Sequence, residues 1–316
     1  MKKKWFVLAM ACMALTLGGC KEKGPSQLET ARSAGIASME NGDYEQAIAS
    51  FEQAYRLCDE KMPETKTDLA LFKATCQYEQ KDFAGVKDTC TDILTLGENA
   101  DAYYLRGVSF LQLGEMDMAK ADFDCAAAIS PTDYSLYLNI YKQYEQINQS
   151  AVGDTYLQLA LSIQGEDLED SYQKGCIYFY LKDYASAKEC LAAPVEAKHK
   201  DATALMGEVY LKLGDTASAR SVYQQYLTNF GDTPEAYNGL VLCDIADGAY
   251  DSALTNAQQG LALEGEENKR DLRYNVIVAY EKKLDFAAAK EKAAEFVELY
   301  PEDEAGKREY AFLSTR

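Results

Sequence analysis

A repeat constrains this chain more than any other feature of its sequence. Small residues recur at Ala47, Val86, Ala119, Gly153, Ala187, Ala219, Ala253 and Ala289, with successive spacings of 39, 33, 34, 34, 32, 34 and 36. A period of this length suits one supersecondary unit, which cannot bury its apolar face alone, so neighbouring copies must stack. The third copy is the clearest: Gly107, Phe110, Gly114, Ala119, Phe123, Ala126 and Pro131 lie at offsets 0, 3, 7, 12, 16, 19 and 24. Gly107 allows two paired helices to approach with Ala119 opposite it, and Gly114 ends the first helix. Phe110 and Phe123 fill the space between copies, and Pro131 closes the second helix.

The landmarks recur elsewhere. Gly35, Gly42, Phe51 and Ala54 surround Ala47, Gly175 and Tyr178 precede Ala187, and Gly207, Tyr210, Gly214 and Tyr223 flank Ala219. Several second helices open on an acid followed by an aromatic: Asp43-Tyr44, Asp82-Phe83, Asp183-Tyr184 and Asp285-Phe286. The pattern resembles the tetratricopeptide repeat (TPR) nearly residue for residue in the third copy. The resemblance implies an all-α fold, a right-handed superhelical solenoid of about eight helix pairs over residues 28–301. Residues 302–316, with Tyr310, Phe312 and Leu313, are expected to form a polar-faced capping helix, and the whole is expected to be one elongated array rather than two globular domains.

Four copies depart from the pattern. The second has Ala74, Val86 and Cys90 where Gly, Ala and an aromatic are usual, and the fourth has Tyr141 in the Gly slot, so these pairs are expected to pack differently or further apart. In the fifth, Pro194 is expected to stop the second helix early and bend the stack between Lys182 and Asp201. In the seventh, Val241 holds the Gly slot while Gly239 lies two residues earlier, which leaves the alignment open.

The N-terminus has the layout of a secretory signal. Lys2, Lys3 and Lys4 precede an apolar run of 13 residues from Trp5 to Leu17, short of the roughly 18 needed to span a bilayer. Leu17-Gly18-Gly19-Cys20 resembles the bacterial lipobox. That resemblance implies that residues 1–19 leave as a lipoprotein signal peptide and that Cys20 carries a diacylglycerol. Residues 20–27 are then a lipidated tether, and the protein is expected on the exported side of a cell membrane or outer membrane.

Charge and composition exclude several functions. With 32 Lys plus Arg against 51 Asp plus Glu, the formal charge of −19 repels phosphate backbones, so no nucleic-acid partner is expected. A single histidine, His199, argues against His metal clusters and His-dependent triads. No phosphate-binding glycine loop, zinc-protease, nucleophile-elbow or EF-hand motif occurs, so no enzyme, catalytic residue, cofactor or metal site is expected. Acids such as Glu166-Asp167 and Glu302-Asp303-Glu304 read as solvated surface, and His199 as an exposed loop residue. Cys58, Cys76, Cys90, Cys125, Cys176, Cys190 and Cys243 contain no C-x-x-C and are read mainly as small hydrophobes.

What remains is a binding surface. In the TPR family the first helix of each pair lines a concave groove. Carried onto this sequence, that implies a partner-binding set of Tyr78, Tyr104, Val108, Leu111, Leu138, Lys142, Tyr172, Phe179, Tyr180, Leu211, Lys212, Leu242, Ile245 and Tyr274. Tyr172, Phe179 and Tyr180 are expected to converge, with Lys142 and Lys212 available to acids on a ligand. The slots from which the chaperone-tail-binding subclass clamps a carboxylate with Asn hold Ile36, Thr75, Val108 and Cys176, so that activity is not implied. The expected function is a membrane-anchored, non-catalytic scaffold for a protein or peptide. The alternative is a cell-wall glycan-binding or enzyme-associated surface protein using the same aromatics.

Overall fold

The computed structural model describes residues 26–266 and 268–316; the expected signal peptide, Cys20 and most of the tether lie outside these described residues. The described residues form helices and no strands. The chain divides into two compact units, the first ending at Ile163 and the second running from Gln164 to Arg316. The first contains α1 (Gln27–Glu40), α2 (Tyr44–Leu57), α3 (Pro63–Glu79), α4 (Phe83–Leu96), α5 (Ala100–Gln112), α6 (Met116–Ile129), α7 (Tyr134–Gln146) and α8 (Ser150–Leu161). The second contains α9 (Leu168–Tyr180), α10 (Tyr184–Glu196), α11 (Lys200–Lys212), α12 (Thr216–Phe230), α13 (Pro234–Ala246), α14 (Tyr250–Leu261), α15 (Lys269–Lys282), α16 (Phe286–Leu299) and α17 (Glu304–Leu313). Each unit is a stack of helix pairs, and the division falls between the fourth pair and the fifth.

One backbone joint makes every pair. The first helix closes with a left-handed residue, Gly42, Lys81, Gly114, Asn148, Lys182, Gly214, Gly248 or Leu284 in turn. The following residue donates its N–H back to the carbonyl five positions earlier, as Glu115 does to Phe110 (2.8 Å) and Asp183 to Tyr178 (2.9 Å). That same residue is the N-cap of the second helix. Where it is Asp its carboxylate also accepts an N–H from the new helix, as Asp82 does from Gly85 (2.9 Å) and Asp285 from Ala288 (3.1 Å). A C-terminal closure and an N-terminal cap thus share one residue, leaving the pair no free linker.

The small-residue register holds in all eight pairs. The first-helix anchors Gly35, Ala74, Gly107, Tyr141, Gly175, Gly207, Val241 and Ile277 are buried, as are their second-helix partners from Ala47 to Ala289. A Cβ on Gly107 would sit 2.8 Å from the Phe123 ring, and one on Gly207 2.5 Å from Tyr223, so the aromatic sixteen residues on occupies the place of the missing side chain.

The departures are resolved individually. The fourth pair does not open up: its sizes are exchanged, Tyr141 on the first helix meeting Gly153 on the second, where a Cβ would lie 3.0 Å from the Tyr141 Cα. The second pair also stays closed, with Ala74, Val86 and Cys90 fully buried, and burial pushes the Cys90 thiol up to about 12. In the seventh, Val241 packs with Ala253, while Gly239 makes room for Tyr223 of the preceding pair.

The expected early stop at Pro194 is corrected. Helix α10 runs through Pro194 to Glu196, which makes it longer than α8 or α14. Proline removes only its own N–H bond here, two residues from the helix end, and its carbonyl accepts from His199 N (2.9 Å). His199 is therefore not an exposed loop residue. It is a half-buried N-cap of α11 whose Nδ1 accepts from Ala202 N (3.1 Å). At the C-terminus Asp303 caps α17 and pairs with Arg270 (2.7 Å), and Leu313 is fully buried.

Candidate functional site: a groove in the second unit

The structure sorts the expected groove residues by unit. In the first, Tyr104 (3 % exposed), Val108 (0 %), Leu111 (3 %) and Leu138 (8 %) are core and offer a partner no surface. The physical reason is aromatic filling: the Tyr104 ring lies 5.8 Å from Phe123, which meets Tyr144 and Tyr156 edge-on at 5.7 and 6.3 Å. Gln143 Nε2 also donates to the Tyr104 hydroxyl (3.4 Å). Tyr78 and Lys142 are half-buried, Tyr78 lying edge-on to Phe83 at 5.9 Å.

In the second unit the aromatic trio does not converge as expected. Tyr172 packs on His199, ring centroids 4.5 Å apart, whereas Phe179 lies edge-on to Tyr180 (6.0 Å) and Tyr184 (5.7 Å). Tyr172 and Phe179 both pack against the core cluster of Ala187, Leu191, Ala202, Met206 and Val209. Ile245 packs similarly on the cluster around Val241 and Ala253.

The remaining expected residues come together further along. Leu211, Lys212, Leu242 and Tyr274 line one cavity of about 700 Å³, with Ala204, Glu208, Tyr223, Glu235, Asn238, Gly239, Ala246, Asn268, Arg270, Asp271 and Asn275. It is built on α11, α13 and α15, the first helices of three successive pairs. Small residues help create it: Ala204 and Ala246 stand where longer side chains would fill the space, while the place beside Gly239 is taken by Tyr223.

Its polar groups are unevenly committed. Arg270 is occupied, donating from Nε and Nη2 to Asp303 (2.9 and 2.7 Å) and from Nη1 to Asp271. Its guanidinium also lies over the Tyr274 ring at 5.5 Å, and Tyr274 rests edge-on against Phe296. Glu235 accepts from Asn268. Asn275 Nδ2 donates to Asn238 Oδ1 (2.8 Å), which leaves the amide pair one NH₂ and one carbonyl oxygen for other partners. Glu208 reaches solvent through the cavity mouth but is crowded by its walls. Burial pushes its carboxyl above the usual range, Lys212 draws it back, and the charge of Asp271 pushes it up again.

Glu208, one residue after its anchor, has no acidic counterpart in the other pairs, whereas Glu235 and Asp271 belong to a series that the assignment of acids to solvated surface passed over. The signal was periodic. Six residues before each anchor stand Glu29, Asp68, Asp101, Ser135, Glu169, Asp201, Glu235 and Asp271, acidic in seven of eight pairs. The structure makes them neighbours across pairs. Burial, then Asp133 and Asp68, raise the Asp101 carboxyl, and Asp201 and Glu169 both act on Tyr172.

The comparisons with known proteins agree with this geometry. Tetratricopeptide-repeat family profiles match residues 172–232 and 204–266 in the second unit, and 33–60 and 100–133 in the first. These repeats are tetratricopeptide repeats. Among solved structures, a TPR protein from Parabacteroides merdae ATCC 43184 is similar at 15 % identity and TM-score 0.52, over 81 % of this chain and 99 % of that one. Yeast Tom70 is similar at 13 % identity and TM-score 0.61, over 95 % of this chain and 66 % of its own. At these identities the likeness establishes the TPR fold. TPR arrays commonly serve as scaffolds for protein or peptide partners, and this chain has that scaffold fold.

Proposed function

We propose that this chain is a non-catalytic lipoprotein scaffold, anchored through lipid at Cys20 on the exported side of a membrane, whose TPR groove holds an extended segment of a protein partner. The observation that carries the reading is the cavity on α11, α13 and α15, where an amide pair with unused hydrogen-bonding capacity lies among apolar and charged side chains. Extended backbone needs both an acceptor and a donor from its host, and the Asn238–Asn275 pair offers them side by side. Glycan binding would need open aromatic faces; Tyr172 is covered by His199, and Tyr274 by Arg270. Among the described residues no helix is long and apolar enough to cross a membrane; the proposed anchor at Cys20 is supported by the lipobox-like Leu17-Gly18-Gly19-Cys20.

A photo-crosslinking residue placed at Leu242, inside the groove, is expected to capture a protein in intact membranes. The same residue at Leu284, in the exposed turn before α16, is expected to capture none. An adduct unchanged by muramidase identifies protein rather than glycan, and equal capture from both positions refutes the groove. Cys20→Ser is expected to abolish fatty-acid labelling and release the chain from the membrane; label persisting in the variant refutes the anchor.

A further inference from the structure

The groove has a charge preference, and it is set by one carboxylate. Five ionisable groups with fixed charge line the cavity: Glu208, Glu235 and Asp271 against Lys212 and Arg270. Arg270 is consumed by Asp303 and Asp271, and Glu235 holds Asn268. Lys212 lies one turn along α11 from Glu208 and is exposed, yet no ion pair joins the two. Glu208 stands exposed at the cavity edge with no hydrogen bond or ion pair to another described residue, beside an apolar wall of Leu211, Leu242 and Tyr223. An exposed carboxylate beside an apolar wall is matched by a cation that brings its own apolar stem, as a lysine or arginine side chain does.

Resting on the groove reading above, we propose that the segment bound there is cationic, with a Lys or Arg side chain entering the cavity to pair with Glu208 while Asn238 and Asn275 hold its backbone. A second series of acids, one on each first helix of the unit, stands six residues before the anchors, Glu169, Asp201, Glu235 and Asp271, and of these Glu235 and Asp271 already hold Asn268 and Arg270. Neighbouring helices pack about 10 Å apart, and extended chain advances about 3.3 Å per residue. A segment crossing successive first helices therefore meets a new one about every third residue. The partner sequence that fits carries basic residues at that interval.

The test uses the chain from Ser26 onward and a fluorescein-labelled Ser/Gly/Leu peptide with lysine at every third position. The controls are the same peptide with its lysines acetylated and a composition-matched peptide with its lysines clustered. The spaced lysine peptide is expected to bind at least about tenfold more tightly than the acetylated one, and to weaken with added salt. Glu208→Gln is expected to erase that difference with an unchanged melting curve. Lys212→Met, which removes the competing internal ammonium, is expected to tighten binding. If acetylated and free peptides bind alike, or if Glu208→Gln leaves the difference intact, the cationic assignment is overturned while the groove reading stands. If neither peptide binds but Leu242 still crosslinks to protein, the same separation holds. If crosslinking also fails, both readings fall together.

Discussion

The two units use one architectural slot in opposite ways. Three residues before each pair's anchor, the first unit places Leu71, Tyr104 and Leu138 in its second to fourth pairs, at 4, 3 and 8 % exposure. The second unit places Tyr172, Ala204, Asn238 and Tyr274 there, all only half-buried. The backbone joint and the small-residue register are the same in both. Tyr occupies the slot in both units, buried as Tyr104 and half-buried as Tyr172 and Tyr274, so whether a TPR face becomes core or groove is decided by what surrounds the slot and not by its occupant or by the repeat that builds the fold.

Exchanging that slot is the most direct way to break the contrast. Tyr104→Ala removes a buried ring from the Phe123 cluster and is expected to destabilise the first unit by about 3–5 kcal/mol. Hydrogen exchange should rise around α5 to α8, with the second unit protected as before; protection lost uniformly would mean the units do not unfold separately. The reverse change, Ala204→Tyr, brings a ring into the open cavity. It is expected to alter stability by less than about 1.5 kcal/mol while abolishing peptide binding. A large fall in melting temperature would show the cavity to be tighter than its volume implies.

The smallest effect concerns acidity at the end of the second unit. Glu281 on α15 is pushed up to about 7 by burial first, and then by its hydrogen bond with Glu309 on α17 and that residue's charge. A carboxyl whose folded pKa lies above its unfolded value is bound to a proton more readily when folded. Its stabilising contribution is complete below about pH 4.5 and is lost as pH rises through about 7. Glu281→Gln should therefore raise the melting temperature by a few degrees at pH 8 and by almost nothing at pH 4. Equal shifts at both values would mean that no proton is shared there.

Much of the fold was legible because it depends on position along the chain. Gly107 against Phe123 and Asp285 ahead of Phe286 are spacing rules, and a spacing survives translation into three dimensions. The fourth pair escaped in part because Tyr141 and Gly153 are each anomalous alone and normal together, so that only their contact shows the exchange. The groove was less legible. Leu211, Lys212, Leu242 and Tyr274 were reached by slot, but slot alone could not tell Tyr104, buried against Phe123 and its aromatic cluster, from Tyr274, left at a cavity edge. Glu208 escaped because a carboxylate's partners come from other helices, and an unpaired acid looks like a paired one in sequence.

The shared residue at each joint has a mechanical consequence. Within a pair there is no slack, since the residue that closes one helix starts the next. Between pairs the connections run from three residues, 97–99, to seven, 262–268. Within each unit the connections are the compliant elements and the pairs the stiff ones, except between the fifth and sixth pairs, where left-handed Lys198 and the N-cap His199 repeat the joint found inside pairs. Tension then works on the contact between neighbouring pairs before it reaches the joint inside one. Each pair yields as a single link, releasing on the order of 120 Å of chain for a repeat of about 34 residues. Under load each unit would extend in discrete steps, each a pair long, while the pairs still intact keep their shape.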